Sequence, residues 1–243
     1  MAYVTPGIVL RHANFGDYDR MVTLLTPERG RLEVAARGCR RLKSPLVNAA
    51  ELFTSGEYTI HERNGRGSIQ QCQISDSFFP LRTDYERLVH GIYWLKLLNA
   101  LVVPGAPAEQ VFHMTLRALA HLSYSELPAA LLTMGFEMHL MAIEGFLPRV
   151  DACVVCQAAL EGEARFDARR GGAVCVGCER HAPPISYGAR RIIYRLPQTP
   201  FEAVAKLVDH PDWREAAQLF RAYISQRVSV KAKHLPALST GDE

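Results

Sequence analysis

The apolar period of the chain changes once, near Pro80, and that change constrains the fold more than any other feature of the sequence. Up to about Asp76 apolar residues recur at every second position. TPGIVL, DRMVTLLT, GRLEVAARG, ELFTSGEYTI and SIQQCQIS read as five short strands, because successive strand side chains alternate between the two faces of a sheet. Between them NFGDY, TPERG and ERNGRG supply the Gly, Asn and Pro that turns require. An open sheet this short would leave its edges exposed, so a small closed barrel or sandwich is expected. The pattern by itself does not separate an OB-type barrel from an SH3-like one.

Beyond Pro80 the period becomes helical. Leu88, Ile92, Leu95, Leu98 and Val102 share one helix face, and Pro104 with Gly105 ends that helix. A second helix is predicted over about Glu109 to Tyr124. A third is predicted from Pro128 to about Leu147, stopped by Pro148, with Leu131, Leu132, Phe136, Leu140, Met141 and Ile143 as its stripe. Two or three more helices follow between Gly188 and Val230. The reading is an α+β chain: a five-stranded barrel over residues 1–80, then an α-helical domain over 81–243 with a cysteine-bearing insert at about 150–181.

That insert holds the most specific chemical signal. Cys153-Val-Val-Cys156 and Cys175-Val-Gly-Cys178 are separated by 18 residues, the C-x2-C repeat spacing of a zinc site. Two residues between cysteines let both thiolates of a tight turn face one ion, and the second turn completes a tetrahedron. Gly171, Gly172 and Gly177 suit the turns such a site needs. Four thiolates leave no open coordination position, so a structural Zn2+ is expected rather than a catalytic one. His181 is an alternative fourth ligand to Cys178. Cys39 and Cys72 read as small interior residues of the barrel.

Charge is distributed unevenly. Arg29, Arg31, Arg37, Arg40, Arg41 and Lys43 stand against Glu33 alone, a net +5 in a chain whose total is +3, so the remainder carries −2. A local cationic patch points to a polyanionic partner. The expectation is that these side chains line one strand as a continuous positive track. Tyr3, Phe15, Tyr18, Phe53 and Tyr58 are the candidate stacking faces beside it, since a basic groove with aromatic platforms holds a nucleic-acid strand without reading its sequence. Arginine suits phosphate because its planar fork donates two parallel hydrogen bonds. Arg190, Arg191 and Arg195, with the Arg227–His234 tail, form an alternative basic stretch.

No run of about 18 apolar residues is present, and the first residues lack the pattern of a signal peptide, which reads as a cytoplasmic chain with reduced thiols. No phosphate-cradling P-loop, H-E-x-x-H or G-x-S-x-G motif occurs. Asp17 and Asp19 are the only hint of a metal-dependent nuclease, and the chain reads as a non-enzyme.

Two blocks resemble a known family. GDYDRMVTLLTPERGRLEVAARGCRRLKSPL is similar to the N-terminal signature of the RecO family of bacterial recombination mediators, and GFEMHLMAIEGFLPRVDACVVC resembles its second signature, a helix leading to the first cysteine pair. The resemblance implies an OB-fold N-terminal domain, a helical second domain with zinc-finger-like cysteines, and no catalytic role. It further implies sequence-independent binding of single- and double-stranded DNA, annealing of complementary strands, and action in DNA repair at the nucleoid. Its implied partners are RecR, the single-stranded-DNA-binding protein and, through them, RecA. Arg37, Arg40, Arg41 and Lys43 match the family's basic segment and are the expected DNA contacts, while Arg11, Arg20, Arg29 and Arg31 are candidates by charge alone. The competing reading is a zinc-containing protein-interaction adaptor that does not bind DNA.

Overall fold

A computed structural model describes residues 1–230 of the chain. Five strands form a closed barrel: β1 (Ala2–Phe15), β2 (Asp19–Thr26), β3 (Gly30–Ala36), β4 (Ser55–Arg63) and β5 (Arg66–Asp76), in the order β1-β2-β3-β5-β4. All pairings are antiparallel except β3 with β5, which run parallel through Val34–Gly67 and Ala35–Ser68. A meander of three strands whose third lies beside the last is an OB-type arrangement, and this parallel contact decides between the two barrels left open by the pattern. It is tight: a Cβ on Gly67 would lie 2.8 Å from Val34 Cγ1, so only glycine lets the strands close there.

The alternation is the physical origin of the barrel. Val22, Leu24, Val34, Ala36, Ile60 and Ile69 point inward and are buried with Tyr58, Cys39 and Ala49. Each large side chain so buried contributes roughly 1.5–3 kcal/mol. The Tyr58 hydroxyl donates to Ala49 O at 2.9 Å, which satisfies the one polar atom of that ring. Strand β1 is longer than its pattern predicts and carries a bulge between Val9 and Arg11, which places Ile8, Val9 and Leu10 all in buried positions. The fourth strand begins only at Ser55. Phe53 takes a left-handed backbone (φ 69°) and the preceding residues cross β1 instead, with Val9 N donating to Thr54 O at 3.0 Å.

Chain packing forms two compact units, Met1–Ser123 and Tyr124–Glu243. In the first, the barrel is joined by α1 (Tyr85–Leu101) and α2 (Glu109–Tyr124). The Asp84 side chain caps α1 by accepting from Arg87 N at 3.1 Å. Val102 follows α1 in extended backbone, and Arg31 Nε donates to its carbonyl at 2.7 Å.

The second unit holds α3 (Ala129–Ile143), a three-stranded sheet, α4 (Tyr187–Arg195) and α5 (Trp213–Arg227). The sheet runs β7 (Gly172–Cys175), β6 (Ala164–Asp167), β8 (Pro184–Ile185). Helix α3 stops at Ile143, not at Pro148. Gly145 adopts φ +77°, Phe146 N donates to Met141 O at 2.7 Å and Gly145 N to Ala142 O at 3.1 Å. This is a Schellman cap, in which the glycine satisfies the last carbonyls five residues before proline's steric block at 148. Within the unit, buried Glu137 of α3 faces Arg221 of α5 at 3.6 Å. No helix among the described residues is long and apolar enough to cross a membrane.

Candidate nucleic-acid interface and metal centre

The six cations of the basic stretch do not form one track. Arg31 and Arg37 sit at opposite ends of β3, about 20 Å apart at the rise of a strand. At the first end the charge is already engaged. Arg29 Nη1 donates to Glu62 Oε2 at 3.2 Å and to Tyr3 OH at 3.1 Å, and its guanidinium lies 4.4 Å from the Tyr3 ring centroid. Arg31 is half-buried and spends its Nε on the Val102 carbonyl. On β2, Arg20 donates to Glu51 Oε1 at 2.7 Å and to Ala50 O at 3.3 Å. Burial and this Arg20 guanidinium hold the neighbouring His12 below its ordinary pKa, against the opposing pull of Glu51. Arg20, Arg29 and Arg31 are therefore barrel-bracing groups.

The other end differs. Arg37, Arg40, Arg41 and Lys43 are all exposed, and none of them enters a salt bridge with another described residue. Their loop is held against the β1–β2 turn by its backbone. Arg40 N donates to Tyr18 O at 3.0 Å, Arg40 Nη1 to Asp17 O at 3.0 Å, and Gly38 N to Asp19 Oδ1 at 2.7 Å. The turn contributes two exposed rings, Phe15 (63 %) and Tyr18 (51 %), with the Arg41 guanidinium 5.1 Å from the Tyr18 centroid. Asp19 is thus spent on a backbone amide, and the acidic pair has a turn-forming role. Arg11 is exposed on β1 at the bulge.

Of the five candidate stacking rings, Phe53 and Tyr58 are fully buried in the first unit and Tyr3 is covered by Arg29. Only Phe15 and Tyr18 present a face beside the free cations. In the second unit, Arg190 and Arg191 both lie 5.7 Å from the exposed Tyr187 ring on α4. Of the tail, Lys231, Lys233 and His234 fall outside the described residues.

The four insert cysteines converge. Their Sγ atoms all lie within 4.8 Å of one another, the only such cluster of potential metal ligands among the described residues. Cys156 and Cys175 Sγ are 3.8 Å apart. A tetrahedron with metal–sulfur distances of about 2.3 Å has edges of about 3.8 Å, whereas a disulfide would need about 2.05 Å. Two similar backbone turns build the site. Gln157 N donates to Cys153 O at 2.9 Å, and Glu179 N to Cys175 O at 3.2 Å. Burial pushes the Cys153 thiol up, but backbone N–H groups of Cys156, Cys175 and Val155 outweigh it and lower the pKa to about 6. Cys178, sharing hydrogen bonds with Cys175 and Cys156, is pushed up to about 12. Such a donor set accepts a soft tetrahedral cation. His181 stays outside the cluster, its N–H donating to Glu179 Oε1 at 2.8 Å. Cys39 is buried and Cys72 half-buried in the barrel, both with thiol pKa values raised by burial.

Known proteins share this architecture. Residues 1–78 match the family described as Recombination protein O N terminal, and residues 82–236 match Recombination protein O C terminal. The DNA repair protein RecO of Anaeromyxobacter dehalogenans (strain 2CP-C) is 34 % identical over 230 residues, covering 91 % of this chain and 90 % of that protein. That of Roseiflexus sp. (strain RS-1) is 35 % identical over 228 residues, 91 % of this chain and 80 % of that protein. That of Acetivibrio thermocellus is 25 % identical over 247 residues, covering 98 % and 96 %. With a barrel and a cysteine-bearing helical unit matched in order along nearly its whole length, the chain belongs to the RecO family.

Proposed function

We propose that this chain is a non-catalytic recombination mediator in DNA repair, which binds single- and double-stranded DNA without sequence preference and anneals complementary strands. Family membership and the names of the relatives support the repair role. One observation carries the DNA-binding part: Arg37, Arg40, Arg41 and Lys43 stand free of carboxylates beside two exposed rings on an OB-type barrel. Phosphates attract such a cluster through counterion release, and the rings offer stacking faces that any base satisfies. Residues 1–80 are the DNA-binding domain on this reading, and Arg11 is an outlying contact.

Annealing then needs no chemistry on the strands. Two phosphate backbones repel, and a cationic surface that neutralises both lowers the cost of bringing them together. A Zn2+ held by Cys153, Cys156, Cys175 and Cys178 staples the insert of the helical domain (81–243), with all four positions filled by thiolate. Action with RecR on DNA coated by the single-stranded-DNA-binding protein, ahead of RecA loading, completes the proposal.

The test is annealing of complementary oligonucleotides coated with their natural binding protein, with and without this chain. Faster annealing that weakens with added salt is the expected result. No acceleration, together with no salt-dependent affinity for bare oligonucleotide, would favour the adaptor reading.

A further inference from the structure

Leu42 is an anomaly within the basic loop. It is fully exposed (102 %), more than any other large apolar residue that the chain presents, and stands between Arg41 and Lys43. A leucine with no packing partner contributes nothing to the barrel core, and a loop selected only for charge or solubility has no use for it. Its neighbours define what would cover it. Arg37, Arg40, Arg41 and Lys43 are exposed in the same loop, and the adjoining turn adds Phe15 and Tyr18, with Tyr18 tied to the loop by the bond from Arg40 N. An apolar protein partner would have to bring acids for every one of these cations. A nucleic acid supplies the complement in one molecule, phosphates for the cations and base faces for the apolar tip.

We propose that Leu42 is an unstacking wedge, which inserts at a base step while the surrounding cations hold the flanking phosphates. Apolar side chains placed in this way prise neighbouring bases apart, at a cost set by how well the step was stacked. The occupant is therefore DNA whose bases are already loosely stacked: a single strand, or the junction where duplex gives way to single strand. Intact duplex is disfavoured because it must pay the unstacking in full. This rests on the DNA-binding reading above and adds to it a substrate preference and the residue that sets it.

The experiment uses the full chain with 2-aminopurine oligonucleotides: a single strand, a blunt duplex, and a duplex carrying a 3′ single-stranded tail labelled at the junction. For the native chain, binding should raise 2-aminopurine fluorescence at the junction and should favour the tailed substrate over the blunt one. Leu42→Ser should abolish the fluorescence rise and weaken junction binding roughly fivefold or more, with blunt-duplex affinity and the salt slope unchanged. Leu42→Phe should restore both signals. A serine variant with native fluorescence and native preference overturns the wedge while leaving salt-dependent binding, and hence the proposed function, intact. Absence of salt-dependent binding by the native chain removes both. Equal loss of affinity for all three substrates also refutes it, because it would make Leu42 a determinant of loop shape.

Discussion

The number of free cations in the barrel loop fixes the salt dependence of DNA binding, and this can be worked through. Of the eight arginines and lysines proposed as contacts, Arg20, Arg29 and Arg31 are held by Glu51, Glu62 and the Val102 carbonyl. Four exposed cations remain in the loop: Arg37, Arg40, Arg41 and Lys43. Four phosphate contacts on a single strand predict a log-log slope of about −2.8, so affinity should fall about 50-fold between 50 and 200 mM salt. Arg40→Ala with Arg41→Ala halves the contacts. The slope should become about −1.4 and the same salt step should cost only about 7-fold. The variant keeps its fold, since the side-chain bond lost is one exposed contact to Asp17 O, worth at most about 1 kcal/mol. Arg29→Ala is the control, because its guanidinium is already paired with Glu62, and its slope should match the native chain. Fluorescence anisotropy of a labelled oligonucleotide across a salt series measures all three slopes. A native slope retained by the double variant, or lost in the Arg29 variant, would refute the assignment of the contact to this end of the barrel.

Metal analysis of the purified chain should find one Zn2+ equivalent, released by a thiol-modifying reagent, and Cys153→Ser should abolish binding and lower the melting temperature of the chain. Gly172→Ala should destabilise by more than about 2 kcal/mol, because its Cβ would sit 1.9 Å from Arg149 O, where the backbone of β7 meets the chain entering the insert; denaturant titration measures this. The pKa of His12 is lowered in the folded chain, chiefly by burial and then by Arg20. The unfolded chain therefore binds more protons as pH falls through about 6.5, and stability should drop there. His12→Gln should flatten that part of the pH–stability curve, and unchanged acid sensitivity would remove His12 as its cause.

Local signals in the sequence were accurate where the physics is local. The helix at Glu109–Tyr124 has the predicted bounds, because an amphipathic stripe ends where its period ends. The two cysteine pairs meet because each tight turn presents both thiolates. The end of α3 was less legible: Pro148 is a strong stop, but Gly145 five residues after Leu140 closes the helix first. Phe53 and Tyr58 look like the other aromatics of the strand region, yet they fill the interior while Phe15 and Tyr18 stand outside. No window of residues distinguishes them, since burial is decided by which strands become neighbours.

From its sequence alone this chain was committed to five strands, a run of helices and a four-thiolate cluster, because side-chain period and ligand spacing are properties of neighbouring residues. Which cations stay free was decided only in three dimensions. Arg20 meets Glu51 31 positions away, Arg29 meets Glu62 33 away, and Arg31 meets Val102 71 away. A charge is available to a ligand only if no such distant group satisfies it first, and closure of the barrel through the β3–β5 contact is what brings the two ends of that basic strand to different fates.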